Sequence, residues 1–238
     1  MQLVFIIVVI AAVATAIWLA VREQRCLRDR RQQELAGWAR ANGLKFLPEN
    51  DYSIGCRYQP FKCLQQGDNR YACNIMVGTS GQRVMCGFDY HADTNAASIN
   101  GLHPARSDRF SAVVVDAGFP LKPLSIRPQR LLDRVTEFVG FDAVDFESTE
   151  FSRKFAVKSP DRRWAYTVMH QKTMELMLDY PRFHVDFQGT LVAAYSGQAE
   201  FSPGEFGSAL DLVTGILDNL PESVVRELKG TDSGGTFS

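Results

Sequence analysis

The chain has 238 residues, with 26 Lys plus Arg against 27 Asp plus Glu, a formal charge of −1, and 45% hydrophobic and 11% aromatic residues. That is enough chain for one large domain or two small ones with a real core, and its composition excludes a disordered or fibrous protein. Outside one basic stretch the two charge signs are interspersed, which excludes nucleic acid as the main partner because phosphate binding needs a concentrated basic surface.

The first element is an apolar run over residues 3–21 that contains no charged side chain and only Thr15 as a polar one. At about 1.5 Å per residue it reaches roughly 28 Å, close to the hydrocarbon thickness of a bilayer, so residues 1–21 are predicted to be a transmembrane anchor. A cleaved secretory signal fits less well, because only Met1 and Gln2 precede the run and its Ala-rich piece lies inside it. Arg22, Arg25, Arg28, Arg30 and Arg31 follow, against Glu23 and Asp29. The positive-inside rule then predicts a single-pass protein of the plasma (inner) membrane, N-terminus outside and C-terminal domain cytoplasmic. Trp18 and these arginines are the expected membrane-interface residues, with the lipid bilayer as partner. Cys26, Cys56, Cys63, Cys73 and Cys86 form an odd set without a C-x-x-C pair, which argues against zinc and against a disulfide scaffold, and agrees with a reducing compartment.

Residues 22–43 read as a basic juxtamembrane helix with an apolar stripe of Leu27, Leu35, Trp38 and Ala39, ended by Gly43. A cytoplasmic α+β domain is expected over 44–228, with a subdivision allowed near 140. A short strand at 45–47 leads to a β-hairpin over 70–91 around Ser80-Gly81. If those two residues are the loop, Tyr71, Cys73, Ile75 and Val77 share one face with Val84, Cys86, Phe88 and Tyr90. A bulged turn with Gly81 left-handed shifts these pairs by one. Residues 93–108 read as a long mobile loop, 110–115 and 124–126 as strands, and Leu131, Leu132, Val135, Phe138 and Val139 recur at helical spacing after Pro128. Short strands at 141–146 and 155–158 flank an acidic turn at 147–150. Ser159-Pro160 reads as a helix start for 161–178, a second hairpin spans 183–195 around Gly189-Thr190, and Ser202, Pro203 and Glu205 form a capping box. Phe206, Leu210, Val213, Leu217 and Leu220 then step along one helical face. Residues 229–238 read as a disordered tail. Hairpins and helices alternate without a βαβ rhythm, so the fold class is α+β: an N-terminal transmembrane helix followed by a soluble domain of antiparallel sheet with packed helices.

Three stretches carry a resemblance: Leu35-Ala36-Gly37-Trp38-Ala39-Arg40-Ala41-Asn42-Gly43, residues 73–90 ending in Phe88-Asp89-Tyr90, and residues 144–155 with Asp145-Phe146-Glu147-Ser148. Together they resemble a group of uncharacterised bacterial single-pass membrane-anchored proteins, a domain of unknown function. In that group a basic helix leads to a "WA..NG" turn, a hairpin ending in "FDY", a "DFES..F.R.F" stretch and a late amphipathic helix. The resemblance implies architecture and bacterial origin and supplies no activity or cofactor.

Asp89, His91 and Asp93 alternate along one strand and share the face opposite Cys86, Phe88 and Tyr90. A carboxylate–imidazole–carboxylate row suits a divalent cation, yet residues two apart in a strand lie roughly 6.6 Å apart, so a metal needs ligands from elsewhere. Cys73 and Cys86 read as core side chains, while Cys56 and Cys63 flank Arg57 and Lys62 and are better placed as reactive thiols. Asp142, Asp145, Glu147 and Glu150 read as local ion-pairing groups beside Arg153 and Lys154, and Met169, Met174 and Met177 as core. No Walker loop, dinucleotide fingerprint, G-x-S-x-G elbow or H-E-x-x-H pair occurs. The leading reading is a membrane-anchored, non-catalytic interaction or ligand-binding module that takes a protein partner or a small ligand. The alternative is a membrane-tethered metal-dependent or hydrolytic enzyme using Asp89, His91 and Asp93, with His103 or His170.

Overall fold

The structure, a computed structural model, describes residues 2–94, 106–129, 143–144, 146–197 and 199–232. Helix α1 (Gln2–Ala41) is a single 40-residue element. It ends where Gly43 takes φ 68°, a left-handed position that a side chain disfavours, while the Leu44 N–H donates to the Ala39 carbonyl at 2.8 Å. Leu35 and Ala39 are buried against the domain, whereas Leu27 is exposed.

Among the described residues no helix is long and apolar enough to cross a membrane. This overturns the transmembrane anchor, the single-pass placement in the plasma membrane and the orientation drawn from it. The physical reason lies in α1 itself. One continuous helix carries both its apolar residues and the charged stretch from Arg22, and no described segment of it has the length and apolarity of a span.

Beyond α1 the elements are β1 (Lys45–Leu47), α2 (Ile54–Arg57), a 3-10 turn (Lys62–Leu64), β2 (Asp68–Ser80), β3 (Arg83–Thr94), β4 (Arg106–Asp116), β5 (Leu124–Pro128) and β6 (Ala143–Val144). There follow α3 (Thr149–Lys154), β7 (Phe155–Lys158), α4 (Arg162–Val168), α5 (Gln171–Asp179), β8 (His184–Gln188), β9 (Leu191–Tyr195), α6 (Pro203–Asp218) and α7 (Glu222–Asp232). Among the described residues the strands form one nine-stranded sheet, ordered β1-β2-β3-β4-β9-β8-β5-β7-β6, in which all the pairings are antiparallel. The fold is therefore α+β. The β4–β9 pairing joins strands from the two halves of the chain into a single sheet.

The two-residue side-chain period divides the sheet into two cores. On one face Val113, Val115, Phe187, Ile126 and Val157 lie under Leu35 and Ala39 of α1, Trp164 of α4, and Phe206, Val213 and Leu217 of α6. Burying each large apolar side chain contributes about 1.5–3 kcal/mol. On the other face Cys86, Phe88, Tyr90, Val114 and Tyr195 meet Ile54, Tyr58, Phe61 and Leu64 from α2 and the turn after it. Helix α6 starts with the expected capping box: the Ser202 Oγ accepts from the Glu205 N–H, and the Glu205 carboxylate accepts from the Ser202 N–H at 2.7 Å.

Several local expectations need revision. The β2–β3 loop is Gly81-Gln82, with Gly81 at φ 60°, the conformation a II′ turn needs at that position. A bulge between Cys73 and Met76, with Asn74 at φ 51°, then shifts the register, so Ile75 stays with Cys86 and Phe88 while Cys73 pairs with Asp89 and turns to the helix side. Helix α4 is capped by Asp161, whose carboxylate accepts from the Trp164 N–H at 3.0 Å, and not by Ser159, whose hydroxyl donates to the Pro123 carbonyl. Pro128 closes β5, and α7 carries ordered helix to Asp232, inside the stretch expected to be a disordered tail. The helix expected over 131–139, most of the loop over 93–108, and residues 233–238 lie outside the described residues.

Candidate functional site

Where α1 crosses β3, two charges leave water together. Asp89, 1% exposed, accepts from Arg31 through Nε at 2.9 Å and Nη2 at 2.7 Å, from the Asn74 amide at 2.8 Å and from the Ser111 hydroxyl at 2.5 Å. The forked guanidinium matches the carboxylate plane, which makes this a strong, directional pair. Arg31 also donates to the Phe201 carbonyl at 2.9 Å, and the Ser111 hydroxyl accepts from the Phe201 N–H at 2.8 Å. Burial alone would lower the Arg31 guanidinium, but its bonds to Asp89 and the charges of Asp89 and Glu200 hold it above its usual value. The knot binds α1, β2, β3, β4 and the segment leading into α6. Asn74 reaches it only because the bulge turns that residue over.

His91 lies two residues along β3. Its ring stacks on Tyr71 at 4.9 Å and 2°, and Tyr71 meets the exposed Tyr52 at 5.6 Å. Its Nε2 is 3.8 Å from Glu200, and its Nδ1 is buried without a partner. Burial first, then the charge of Arg109, lowers the imidazole pKa, against the opposing pull of Asp89. Cys73, beside this group, is pushed up to about 12 by burial and by the charges of Asp89 and Glu200, so it is a thiol at neutral pH and a poor nucleophile. Asp93, at the end of the strand, accepts from the Asn69 amide at 3.1 Å.

A second polar group lies on the other face, where β5, β8 and β9 meet. His184 is 3% exposed and Asp186 4% exposed. The Tyr195 hydroxyl donates to Asp186 at 2.8 Å, and the Arg127 guanidinium is 3.7 Å away. Both ring nitrogens of His184 and one oxygen of Asp186 have no hydrogen-bond partner. Burial, reinforced by Arg127, lowers the His184 imidazole to about 3, whereas burial raises the Asp186 carboxyl.

The sequence candidates thus divide. Asp89, His91 and Asp93 do share a face, but Asp89 is committed to Arg31, and among the described residues no group of three His, Cys, Asp or Glu side chains could hold a metal ion. The metal-dependent and hydrolytic alternative loses its constellation. His170 is remote from it, with Nε2 2.8 Å from the Asn219 carbonyl, and His103 lies outside the described residues. Trp18 is exposed with the Arg22 guanidinium 5.4 Å over its ring, Arg25 and Arg28 are exposed, Arg30 pairs with Glu34 at 2.9 Å, and only Arg31 turns inward. Cys56 is exposed, and burial raises the Cys63 thiol. Sequence reasoning missed the His184 and Asp186 group. The available signal was the alternation of His184 and Asp186 with Val185 and Phe187 in a predicted hairpin strand.

No family model matches the chain, and no curated protein matches it. Among solved structures the chain is similar to the crystal structure of the mycobacterial trehalose monomycolate transport factor A, TtfA, with a TM-score of 0.60 at 11% sequence identity, over 80% of this chain and 96% of that one. At that identity the likeness is one of fold.

Proposed function

We propose that this chain is a non-catalytic binding module whose ligand is an amphiphile, in the class of the trehalose monomycolate in the neighbour's name. The observation that carries the non-catalytic part is the state of Asp89. A general base or metal ligand must keep a lone pair for its substrate, and this carboxylate spends its oxygens on Arg31, Asn74 and Ser111. The neighbouring Cys73 is held as a thiol, and His91 faces Glu200 and Tyr71 without a nucleophile to activate. The fold likeness supports the ligand class.

Native mass spectrometry of the purified full chain, followed by solvent extraction, tests the reading. The expected result is a bound lipid-class species that reloads onto the stripped chain and is recovered chemically unchanged. Recovery of a cleaved or modified product, or failure to load any amphiphile, would overturn it.

A further inference from the structure

The corner beside the Arg31–Asp89 knot holds cations with no role in the fold. Arg28 sits one turn before Arg31 on α1, so both point to the same side of the helix, toward β3. Arg109 on β4 is the register partner of His91, and residues directly opposite in an antiparallel pair share a face. Both arginines are exposed, and neither has an ion-pair or hydrogen-bond partner among the described residues. Between them lies His91, whose Nδ1 is buried and unpartnered, with its ring orientation fixed by the parallel stack on Tyr71. The geometry points to Arg28, His91 and Arg109 as a binding site for one phosphate-type oxyanion.

The charges facing this corner favour that ligand. Asp89 is neutralised by Arg31, Asp93 on the same face accepts from the Asn69 amide, and Glu200 lies on the Nε2 side of His91, 3.8 Å from it and 3.6 Å from Arg31, so that in the imidazolium form Nδ1–H is the donor left for a ligand. Cys73 is uncharged, and Tyr71 is held protonated, its pKa raised chiefly by burial. A cation would meet Arg28 and Arg109. Two guanidinium forks and an imidazole N–H offer more donors than a carboxylate can accept, and match the oxygens of a phosphate. A phosphate monoester on a lipid headgroup and free phosphate present the same chemistry. The site is independent of the amphiphile reading above, since a chain that binds no lipid can still hold free phosphate here.

The test is a histidine-ring NMR titration of the full chain with inorganic phosphate replacing chloride at constant ionic strength. His91 is expected to show a saturable shift and an upward move of its titration midpoint, because the bound anion stabilises the imidazolium. The double variant Arg28→Ala, Arg109→Ala should weaken phosphate binding at least about tenfold, the loss of roughly 1.4 kcal/mol or more. Arg30→Ala, which removes a cation already paired with Glu34, should not. Cosedimentation with phosphatidic acid vesicles that the double variant abolishes and inorganic phosphate competes away would assign a lipid headgroup. Saturation of the NMR site without such vesicle binding would assign free phosphate. An unmoved His91, or equal phosphate affinity in the double variant, would overturn the proposal.

Discussion

Asp89 and Asp186 are both buried carboxylates on strands of the same sheet, and they differ in how their oxygens are satisfied. Asp89 accepts from Arg31, Asn74 and Ser111, its negative charge matched by a bidentate guanidinium. Asp186 accepts from Tyr195, has Arg127 at 3.7 Å, and keeps one oxygen unpartnered beside a histidine with two unpartnered nitrogens. A buried charge stabilises only where its geometry and hydrogen bonds are complete, and otherwise it costs desolvation. The first acid is therefore a clamp on α1, and the second is a local deficit within a well-packed sheet.

The largest expected effect comes from breaking the clamp. Asp89→Ala strands the partly buried Arg31 guanidinium and unpairs Asn74 and Ser111, and should cost about 3–5 kcal/mol in urea unfolding. Asp186→Ala should cost less, because Arg127 is 3.7 Å away and not in a bidentate fork, and one Asp186 oxygen is already unpartnered. Equal losses would erase the distinction between the two sites.

The second effect is read in pH. The His184 imidazole is held at about 3 in the folded chain against 6.5 when exposed, so below pH 6.5 the unfolded state binds a proton that the folded state refuses. Stability should fall as pH drops from 6.5 toward 3, by about 2.5 kcal/mol between pH 6.5 and 4.5. Asp186 acts with the opposite sign, since its raised pKa gives the folded state the extra proton just above 3.8. His184→Phe should remove the acid-side loss and, by deleting two unpartnered nitrogens, raise stability at pH 7 by about 1–2 kcal/mol. A variant whose stability falls with pH as steeply as the parent would assign the slope to other groups.

Ser111 tests whether the clamp is a network or a pair. Its hydroxyl donates to Asp89 and accepts from the Phe201 N–H, so Ser111→Ala should cost about 1–2 kcal/mol in the parent and much less in the Asp89→Ala background. Additive losses in this double-mutant cycle would make Ser111 an independent contributor.

How much of this was legible in the sequence depended on how local the cause was. The α6 capping box, the Gly43 helix stop and the 183–195 hairpin each rest on residues a few positions apart, and the structure has them where the pattern puts them. The stretches behind the family resemblance turn out to hold structural parts as well: Gly43 ends α1, Asp89 is the clamp and Ser148 caps α3. The knot itself joins residues 58 and 170 positions apart, and no periodicity connects Arg31 to Asp89 or to Phe201. The bulge at Asn74 hid Cys73 for a related reason: one extra residue reverses a strand's faces, and a left-handed asparagine leaves no mark in the alternation of side chains. The apolar run misled in the other direction. Hydropathy alone reads a span over residues 3–21, whereas among the described residues no helix is long and apolar enough to cross a membrane.

The smallest expected effect marks the surface limit of the same comparison. Glu150 and Lys154 make an ion pair of 2.8 Å one turn apart on α3, as short as the bonds of the Asp89 clamp. Length is not the deciding quantity. Both side chains are largely in water, which solvates each charge as well as its partner does and leaves the ordering entropy unopposed. The hydrogen bond and charge of Lys154 do hold the Glu150 carboxyl below its usual range, a favourable pairing without a structural consequence. Lys154→Ala should therefore leave the urea midpoint unchanged within error, while raising the Glu150 titration midpoint measured by NMR. A clear loss of stability would mean that α3 transmits its order to the Phe146, Phe151 and Phe155 cluster beneath it, and that the contrast between buried and exposed pairs fails at this helix.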